Sequence, residues 1–353
     1  MGGTRAARRL LASVGLLMLV ALLAACAVGR APEAADGVDP QEEAPDLGAG
    51  LGRGLNLGNA LEAPREGEWG MVLQASYFAR IREAGFDSVR IPIRWNAYAE
   101  TEPPYQLAPA ILERVDWAIA EALSHDLAVV INIHHYDALM ERPEDHHARF
   151  LALWRQIAEH YRDHDPRLYF ELLNEPRDRL DGALWNQYLA DALAVVRESN
   201  PDRWVIVGPG NWNHISALRA LRLPDDDPRL IVTVHYYEPF RFTHQGAEWV
   251  QGSDPWVGTP WRGTDAEVRA IQRDFDTAAR WAAERDLPVY LGEFGAYSRA
   301  DMASRVRWTE TVVREAEARG WSWAYWEFGA GFGVYDRARD AWREELLRAL
   351  LPE

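Results

Sequence analysis

The chain has 353 residues, 48% of them hydrophobic, which is enough for one large hydrophobic core or two modest ones. Its formal net charge of −16 argues against nucleic acid as a partner, because phosphate contacts need clustered lysine and arginine side chains. Tryptophan is unusually frequent, with 16 residues. Flat indole rings suit a groove in which the apolar faces of sugar rings stack.

The N-terminus has the pattern of an export signal. Three arginines precede an apolar stretch, Leu10 to Leu23, that is too short to span a bilayer comfortably. Residues 23–26, Leu-Ala-Ala-Cys, resemble a bacterial lipobox, in which the cysteine becomes the lipidated first residue. We therefore predict a lipoprotein signal peptide over residues 1–25, lipidation at Cys26 and a location on the outer side of a bacterial membrane. An ordinary signal peptide with a coincidental cysteine is the alternative.

The remaining chain divides into a tether and one domain. Residues 26–50 are acidic and rich in Ala, Pro and Gly, a composition that buries no core and predicts a flexible tether. Residues 51–353 form the predicted catalytic domain, which we expect to be monomeric. Cys26 is the only cysteine, so no internal disulfide forms. The histidines lack the H-E-x-x-H spacing of a zinc site, and we predict no metal.

From residue 50 onward, short β-branched runs alternate with amphipathic stretches. The predicted strands are Leu55–Leu57, Ser88–Ile93, Val129–His134, Tyr169–Asn174, Trp204–Val207, Leu230–His235, Val289–Glu293 and Trp321–Trp326. The predicted helices are Leu73–Ala84, Pro109–Ser124, Arg149–Tyr161, Ala183–Ser199, Ile215–Leu221, Asp265–Glu284, Ala300–Arg319 and Trp342–Leu351. Eight such units in roughly 300 residues predict an α/β fold, the (β/α)₈ TIM barrel.

A doubly wound open sheet is the competing fold. It usually carries a glycine-rich phosphate turn after the first strand. Here the first strand is followed by residues 58–62, Gly-Asn-Ala-Leu-Glu, which do not form such a turn. The barrel is therefore favoured.

Polar residues stand at the carboxyl end of nearly every predicted strand, and strand two carries Arg90 within it. In chain order they are Asn59 and Glu62, Arg90, His134 and His135, Asn174 and Glu175, His235 and Tyr237, Glu293, and Trp326. The carboxyl ends of barrel strands meet on one face, where barrel enzymes place their chemistry. Stability alone predicts apolar or merely hydrated strand ends, so this series indicates a catalytic site.

Two of these residues suit the hydrolysis of a glycosidic bond. Glu175 on strand four and Glu293 on strand seven face each other across a small barrel, at a separation that favours a retaining mechanism. We predict that Glu293 attacks the anomeric carbon and that Glu175 is the acid/base. Like charge between them is expected to raise the pKa of Glu175. Arg90 beneath Glu293 would keep that carboxylate ionised, and Asn174 suits the sugar 2-hydroxyl.

Six segments together resemble glycoside hydrolase family 5, the endo-β-1,4-glucanase (cellulase) and mannanase family. They are residues 53–59 (RGLNLGN), 88–92 (SVRIP), 132–135 (NIHH), 173–176 (LNEP), 235–237 (HYY) and 291–295 (LGEFG). The resemblance covers the chain from residue 50 onward. It implies a (β/α)₈ barrel, retaining chemistry, no cofactor, and Glu175 and Glu293 in the roles given above.

The resemblance also implies a set of sugar-binding residues. Those beside the scissile bond are Arg90, His134, Asn174, His235, Tyr237 and Trp326. A branch of dual glucanase/mannanase enzymes from thermophilic bacteria is more similar still, since it shares residues 59–64 (NALEAP). It implies that Asn59 and Glu62 bind sugar and that His244 and Trp249 line the groove.

Several assignments leave alternatives. His134 and His135 alternate in direction on a strand, so only one of them faces the barrel axis. His134 is favoured, and His135 stays a candidate sugar-binding residue. Glu171 is expected to be a structural partner of Arg90. Trp321 and Trp323 are expected to pack in the core. Four tryptophans are equally compatible with sugar platforms and with hydrophobic packing: Trp69, Trp212, Trp256 and Trp261.

The predicted function is a retaining endo-acting hydrolase of β-1,4-linked glucans, with a β-linked polysaccharide or oligosaccharide as substrate. A β-mannanase or dual glucanase/mannanase is the alternative within enzymes, because hydroxyl orientation is read by small hydrogen-bond differences. The segment from Glu238 to Gly263 is long enough to close one end of a groove, as exo action requires. A catalytically inert glycan-binding surface lipoprotein is the alternative of another class, although such a binder has no need of two carboxylates.

Overall fold

The structure is a computed structural model that describes residues 50–224 and 226–352. All of them belong to the second of the two units into which the chain divides, Pro45–Glu353. The predicted signal peptide, the lipidation site Cys26 and nearly all of the tether lie outside the described residues. No helix in the described ranges is long and apolar enough to cross a membrane.

The described chain alternates strands with helices. The strands are β1 (Arg53–Asn56), β2 (Ser88–Ile93), β3 (Ala128–Ile133), β4 (Leu168–Glu171), β5 (Val205–Val207), β6 (Leu230–Tyr236), β7 (Val289–Phe294), β8 (Ser322–Tyr325), β9 (Tyr335–Asp336) and β10 (Ala341–Trp342). The helices are α1 (Ala75–Ala84), α2 (Pro109–Ser124), α3 (Asp137–Glu141), α4 (Pro143–His160), α5 (Gly182–Ser199), α6 (Gly210–Asn213), α7 (Phe240–Thr243), α8 (Asp265–Ala283), α9 (Met302–Glu317) and α10 (Glu344–Leu350). Short 3₁₀ helices cover Trp95–Tyr98, Ile215–Ala220 and Asp254–Trp256.

Strands β1 to β8 pair in parallel and close into a barrel. The closure runs through β1, where Leu55 lies opposite Val89 of β2 on one side and Tyr325 of β8 on the other. The (β/α)₈ barrel predicted from the alternation of strands and helices is therefore confirmed. Strands β9 and β10 form a separate antiparallel pair after the barrel.

The hydrophobic core has two layers. The larger layer packs the outer face of the sheet against the helices. The smaller one fills the barrel interior with residues such as Val130, Ile206 and Tyr290, which are fully buried. This layer fills the barrel interior, and barrel enzymes place their polar catalytic residues at the carboxyl face of the strands.

Helix starts follow ordinary capping rules. Pro109 opens α2 at a position where a backbone N–H has no helical partner in any case. Thr264 and Glu267 form a capping box at the start of α8. The predicted helix from Arg149 instead begins at Pro143, with Glu144 and Asp145 in its first turn. Proline followed by acidic residues is a recognised start signal, which explains the earlier boundary.

Strand β4 is shorter than the sequence predicts. It ends at Glu171, so Asn174 and Glu175 lie in the loop that follows. Glu175 takes a left-handed backbone conformation with φ of 49°, uncommon for a residue with a side chain. The turn carries its side chain over the mouth of the barrel.

Candidate active site

A groove crosses the carboxyl face of the barrel, with a volume of about 1210 Å³. This exceeds the roughly 300–1,000 Å³ typical of pockets for small ligands and suits several sugar rings in a row. Twelve of the thirteen sugar-contacting and catalytic residues predicted from the sequence line it: Asn59, Glu62, His134, His135, Asn174, Glu175, His235, Tyr237, His244, Trp249, Glu293 and Trp326. The thirteenth, Arg90, is fully buried beneath the groove.

Glu175 and Glu293 face each other at the middle of the groove. An oxygen of each, together with a ring nitrogen of His235, lies within 4.8 Å of the other two atoms. Glu293 is buried, whereas the Glu175 side chain remains 21% exposed. The pair therefore has one carboxylate fixed in the wall and one reachable from solvent.

Arg90 holds the buried side of this pair in place. Its guanidinium pairs with both oxygens of Glu171, at 2.6 and 2.8 Å, and with Glu293 Oε1 at 2.7 Å. It also donates to Asn56 Oδ1 and Asn174 Oδ1, both at 2.8 Å. The predicted partnership of Glu171 with Arg90 is confirmed. Asn56 is a member of this network that sequence reasoning did not identify.

The other oxygen of Glu293 accepts a hydrogen bond from the Tyr237 hydroxyl at 3.0 Å. Glu175 Oε1 instead lies 2.8 Å from His235 Nδ1. The facing carboxylates and burial act on the imidazole in opposite senses. Burial lowers the pKa of His235, but the negative charges of Glu293 and Glu175 outweigh it, so the pKa lies above its usual value.

The predicted rise in the pKa of Glu175 is wrong for this site. Burial raises that pKa, but the hydrogen bond from His235 and its positive charge act in the opposite direction. The net shift of the Glu175 pKa is downward. For Glu293 burial prevails over the charges of His235 and Arg90, and the pKa is raised. The prediction failed because the deciding partner comes from β6, two strands away. The two carboxyls and the imidazole titrate as one linked group.

Ring stacking fixes one wall of the groove. The His134 imidazole lies parallel to the Trp326 indole, with ring centroids 5.6 Å apart. A Cβ atom at Gly58 would come within 2.9 Å of the same indole, so only glycine leaves room for the ring. His135, also among the predicted sugar-binding residues, lines the groove as well. Strand β3 ends at Ile133, and strict alternation ends with it.

Glu62 is a fully buried carboxyl in the loop after β1. It accepts hydrogen bonds from the backbone N–H groups of Asn59 and Ala60. Burial raises its pKa to about 8, although those hydrogen bonds act in the opposite direction. Glu62 is therefore largely protonated at neutral pH.

We expect Glu62→Gln to change the pH dependence of stability. The carboxyl is neutral in the folded protein up to about pH 8 but ionises near pH 4.5 when unfolded. The wild-type free energy of unfolding therefore falls relative to the variant by roughly 1.4 kcal/mol per pH unit across this interval. Urea unfolding at pH 5 and pH 8 measures the effect. A stability difference that stays constant with pH would contradict the raised pKa of Glu62.

A second group of aromatic rings lines the groove around Tyr297 and Phe332. Trp249 is 60% exposed, and its ring meets Tyr297 edge-on at 5.0 Å. The Tyr297 hydroxyl donates to Glu248 Oε2 at 2.6 Å, and its backbone N–H donates to Thr243 O. Tyr297 thus ties the loop carrying Trp249 to the end of β7.

Removing this tie in Tyr297→Phe is expected to raise KM about three- to tenfold with little change in kcat, since only the position of Trp249 is loosened. Glu248→Ala, which removes the acceptor of this hydrogen bond, is the matched variant. Because the two groups form one hydrogen bond, the KM of the double variant is expected to be no higher than the KM of either single variant. Steady-state kinetics on a soluble β-glucan measure both. A loss confined to kcat would show that Tyr297 acts on the chemistry instead.

The four ambiguous tryptophans separate clearly. Trp69 and Trp212 line the groove and are 41% and 48% exposed. Trp261 is buried and packs in the core, while Trp256 is half-buried outside the groove lining. Trp321 and Trp323 are buried, as predicted.

Some groove residues gave little signal in the sequence. Tyr297 and Phe332 lie beyond strand ends without a recognisable motif, and Arg337 belongs to the turn between β9 and β10. Their positions depend on how loops after β7 and β8 fold over the barrel, which local patterns do not encode. The segment from Glu238 onward contributes His244 and Trp249 to the groove lining.

Within the described ranges, Glu175, His235 and Glu293 are the one group of three side chains close enough to share a metal ion. Their atoms already bond to each other or to neighbours: Glu175 to His235, and Glu293 to Arg90 and Tyr237. The arrangement is complete as a hydrogen-bonded acid–base group, and the absence of a metal stays a prediction.

Paired carboxyls at the mouth of a parallel barrel, within a groove of aromatic rings, define the class of barrel glycoside hydrolases. The family model described as cellulase (glycosyl hydrolase family 5) matches residues 53–331. The chain belongs to glycoside hydrolase family 5, as the sequence motifs predicted.

Relatives fall in the same family. Endoglucanase H of Acetivibrio thermocellus is 36% identical over 307 residues, which cover 85% of this chain and 33% of that protein. Thermotoga maritima Cel5A, solved in complex with cellobiose, is 51% identical with a TM-score of 0.84, over 86% of this chain and 98% of that one. Cellulose synthase subunit Z of Clostridioides difficile is 38% identical with a TM-score of 0.83, over 85% and 99% of the two chains. The chain spans about a third of the length of the first curated relatives it matches.

Proposed function

We propose that the protein is a retaining endo-β-1,4-glucanase that cleaves cellulose-like glucans by double displacement. The observation that carries the proposal is the approach of Glu175 and Glu293 oxygens to within 4.8 Å in an extended groove. Retaining enzymes hold their carboxyls about 5–5.5 Å apart, whereas inverting enzymes need roughly 6.5–9.5 Å to admit a water molecule. The distance between one oxygen of each carboxyl falls on the retaining side of this division and supports direct attack by a carboxylate.

In this proposal Glu293 is the nucleophile. Arg90 and Tyr237 each bond one of its oxygens, which orients the carboxylate and favours its charged form during attack. Its raised pKa in the free site reflects burial and the negative charge of Glu175. Protonation of Glu175 removes that charge. Asn174, held by Arg90, is positioned for the 2-hydroxyl of the sugar that is attacked.

Glu175 is the proposed acid/base. It needs a proton before it protonates the leaving oxygen, and His235 Nδ1, at 2.8 Å, is the group that supplies it. In the second step Glu175 accepts a proton from the attacking water. The partial exposure of its carboxylate gives that water access.

The two carboxyls also give the groove a direction. The sugar attacked by Glu293 lies against Trp326, and the chain continues from it over the loops after β8 and β1, which form the glycone end. The leaving group departs on the side of Glu175, toward Trp212. Aromatic rings on both sides of the cleavage point support endo action.

A dual glucanase/mannanase is the second candidate. The structure of Thermotoga maritima Cel5A has also been determined with mannotriose as substrate, at 51% identity to this chain. Discrimination between the two sugars depends on single hydrogen bonds to the 2-hydroxyl, worth about 1–3 kcal/mol. We therefore include mannans among the substrates to be tested.

The test is release of reducing sugar from barley β-glucan, carboxymethylcellulose, glucomannan and galactomannan by the purified protein, with Glu293→Gln beside it. Release from the glucans that vanishes in the variant supports the proposal, and the mannan samples show how broad the activity is. Viscosity that falls faster than reducing ends appear indicates endo action. Binding of oligosaccharide without any release would favour the glycan-binding lipoprotein instead.

We further propose that the enzyme is exported and lipid-anchored at Cys26 on the outer side of a bacterial membrane, and acts as a monomer. The lipobox-like sequence supports the anchor, and the described residues contain no alternative membrane span. Several acyl chains give stable membrane binding where one does not. Cys26→Ser is expected to move the protein from the membrane to the soluble fraction. A variant that still sediments with membranes would refute the anchor.

A further inference from the structure

Two arginines line the groove, and their surroundings differ. Arg177, near the catalytic pair, forms an ion pair with Asp137 at 2.7 Å. Arg337, at the glycone end, has no carboxylate within ion-pair distance in the part of the chain that the structure describes. Its Nε donates to Gly329 O at 2.7 Å and its Nη1 donates to Gly70 O at 2.6 Å. Both acceptors are neutral carbonyls.

The carboxylates on the neighbouring loops already have other partners. Four of them form ion pairs with other arginines: Glu66 with Arg114, Glu68 with Arg65, Asp336 with Arg343, and Asp340 with Arg80. Glu327, the acidic residue nearest Gly329 in the chain, is buried. Its carboxyl accepts hydrogen bonds from the backbone N–H groups of Gly329, Ala330 and Phe332.

The glycone end is therefore less acidic than the sequence suggests. Burial raises the pKa of Glu327 and raises that of Glu62 to about 8. At neutral pH the guanidinium of Arg337 is a fixed positive charge in this wall. It acts on the buried Glu327, whose pKa it lowers against the larger effect of burial, but the two side chains form no ion pair. A groove for uncharged glucan needs no such charge.

The guanidinium is also held in a defined orientation. Nε and Nη1 are fixed by the two carbonyls, and a Cβ atom at Gly329 would lie 3.0 Å from Arg337 Cδ, so the side chain lies directly against the loop. Trp69, next to Gly70, offers an exposed indole at the same end. An indole platform beside an oriented guanidinium suits a sugar that carries a negative group.

We propose that Arg337 forms a subsite for a carboxylate-bearing sugar at the glycone end, so that the enzyme binds β-glycans with acidic substituents there. This inference rests on the proposed glycanase function. The ligand class is a β-linked chain carrying a uronate or carboxymethyl group, recognised by a charge-assisted hydrogen bond from the guanidinium. The rest of the groove binds the neutral part of the chain.

The test compares kcat/KM on carboxymethylcellulose and on barley β-glucan for the wild type, Arg337→Gln, Arg337→Lys and Arg339→Gln. The last variant is the control, since Arg339 is in the same turn but 84% exposed and outside the groove lining. Arg337→Gln is expected to lower kcat/KM on carboxymethylcellulose, relative to kcat/KM on barley β-glucan, about tenfold at low salt. This is the effect of one charge-assisted hydrogen bond. The Lys variant and the control are expected to keep most of the ratio, and high salt to reduce the difference.

The possible outcomes separate the hypotheses. If Arg337→Gln and Arg337→Lys lower kcat/KM equally on both substrates, Arg337 only ties the two loops together and the subsite is refuted. An unchanged ratio in Arg337→Gln also refutes it. If the wild type cleaves neither polymer, the proposed function fails, and calorimetric binding of a glucuronate-terminated cello-oligosaccharide against its neutral analogue then decides the subsite on its own.

Discussion

Glu293→Gln is expected to abolish hydrolysis of β-glucan, with a fall in kcat on the order of 10⁴-fold or more, the size seen when a covalent nucleophile is removed. Glutamine keeps the shape of the side chain and an oxygen for Arg90 or Tyr237 but has no carboxylate to attack the anomeric carbon. Initial rates on barley β-glucan measure the loss. An unchanged thermal midpoint would show that the fold is intact.

Glu175→Gln is the matched control, because the two roles fail differently. Without an acid, the Glu175→Gln variant is also expected to lose activity on natural glucans, whose leaving groups are poor. An aryl cellobioside with a good leaving group does not need that proton, so the first step is expected to persist and give a burst of phenol. Glu293→Gln is expected to give no burst. A burst in the Glu293 variant and none in the Glu175 variant would reverse the assignment of the two roles.

The second large effect is expected at Arg90. Arg90→Met would leave Glu171 and Glu293 buried side by side without their cation. Breaking a buried pair in this way costs about 3–5 kcal/mol of stability. We expect a fall of this size in the free energy of unfolding at pH 7, measured by urea denaturation, together with loss of activity.

Two comparisons identify the cause. Arg179→Met removes an exposed pair, with both side chains 61% exposed, and is expected to cost less than about 1 kcal/mol. Adding Glu171→Gln to Arg90→Met removes one stranded charge and is expected to recover part of the lost stability. If the double variant is instead less stable than Arg90→Met by the full cost of Glu171→Gln alone, the two residues are not coupled and the network does not stabilise the barrel mouth.

The barrel was predictable because its determinants are local. Short β-branched runs alternate with amphipathic helices, and the predicted bounds of β2 and α2 agree with the structure. The positions of the groove residues follow from parallel strands, which bring their carboxyl ends to one face. Glu175 and Glu293 were identifiable for this reason alone, before any family resemblance was considered.

What the sequence did not reveal depends on contacts between distant segments. The direction of the Glu175 pKa shift follows from His235, which comes from another strand. The charge state of Glu62 follows from its complete burial under loops. The place of Arg337 in the groove depends on a turn beyond the last barrel strand, tied to Gly70 at the opposite end of the domain sequence. None of these has a periodic or motif signal.

Proton NMR of the first products from cellotetraose tests the central claim most directly. Double displacement with Glu293 as nucleophile and Glu175 as acid/base predicts that the new reducing end appears first as the β anomer, with the α anomer growing later by mutarotation. First appearance of the α anomer would mean single displacement by water. Glu293 would then be a general base, and the carboxyl separation in the structure would not be the one used in catalysis.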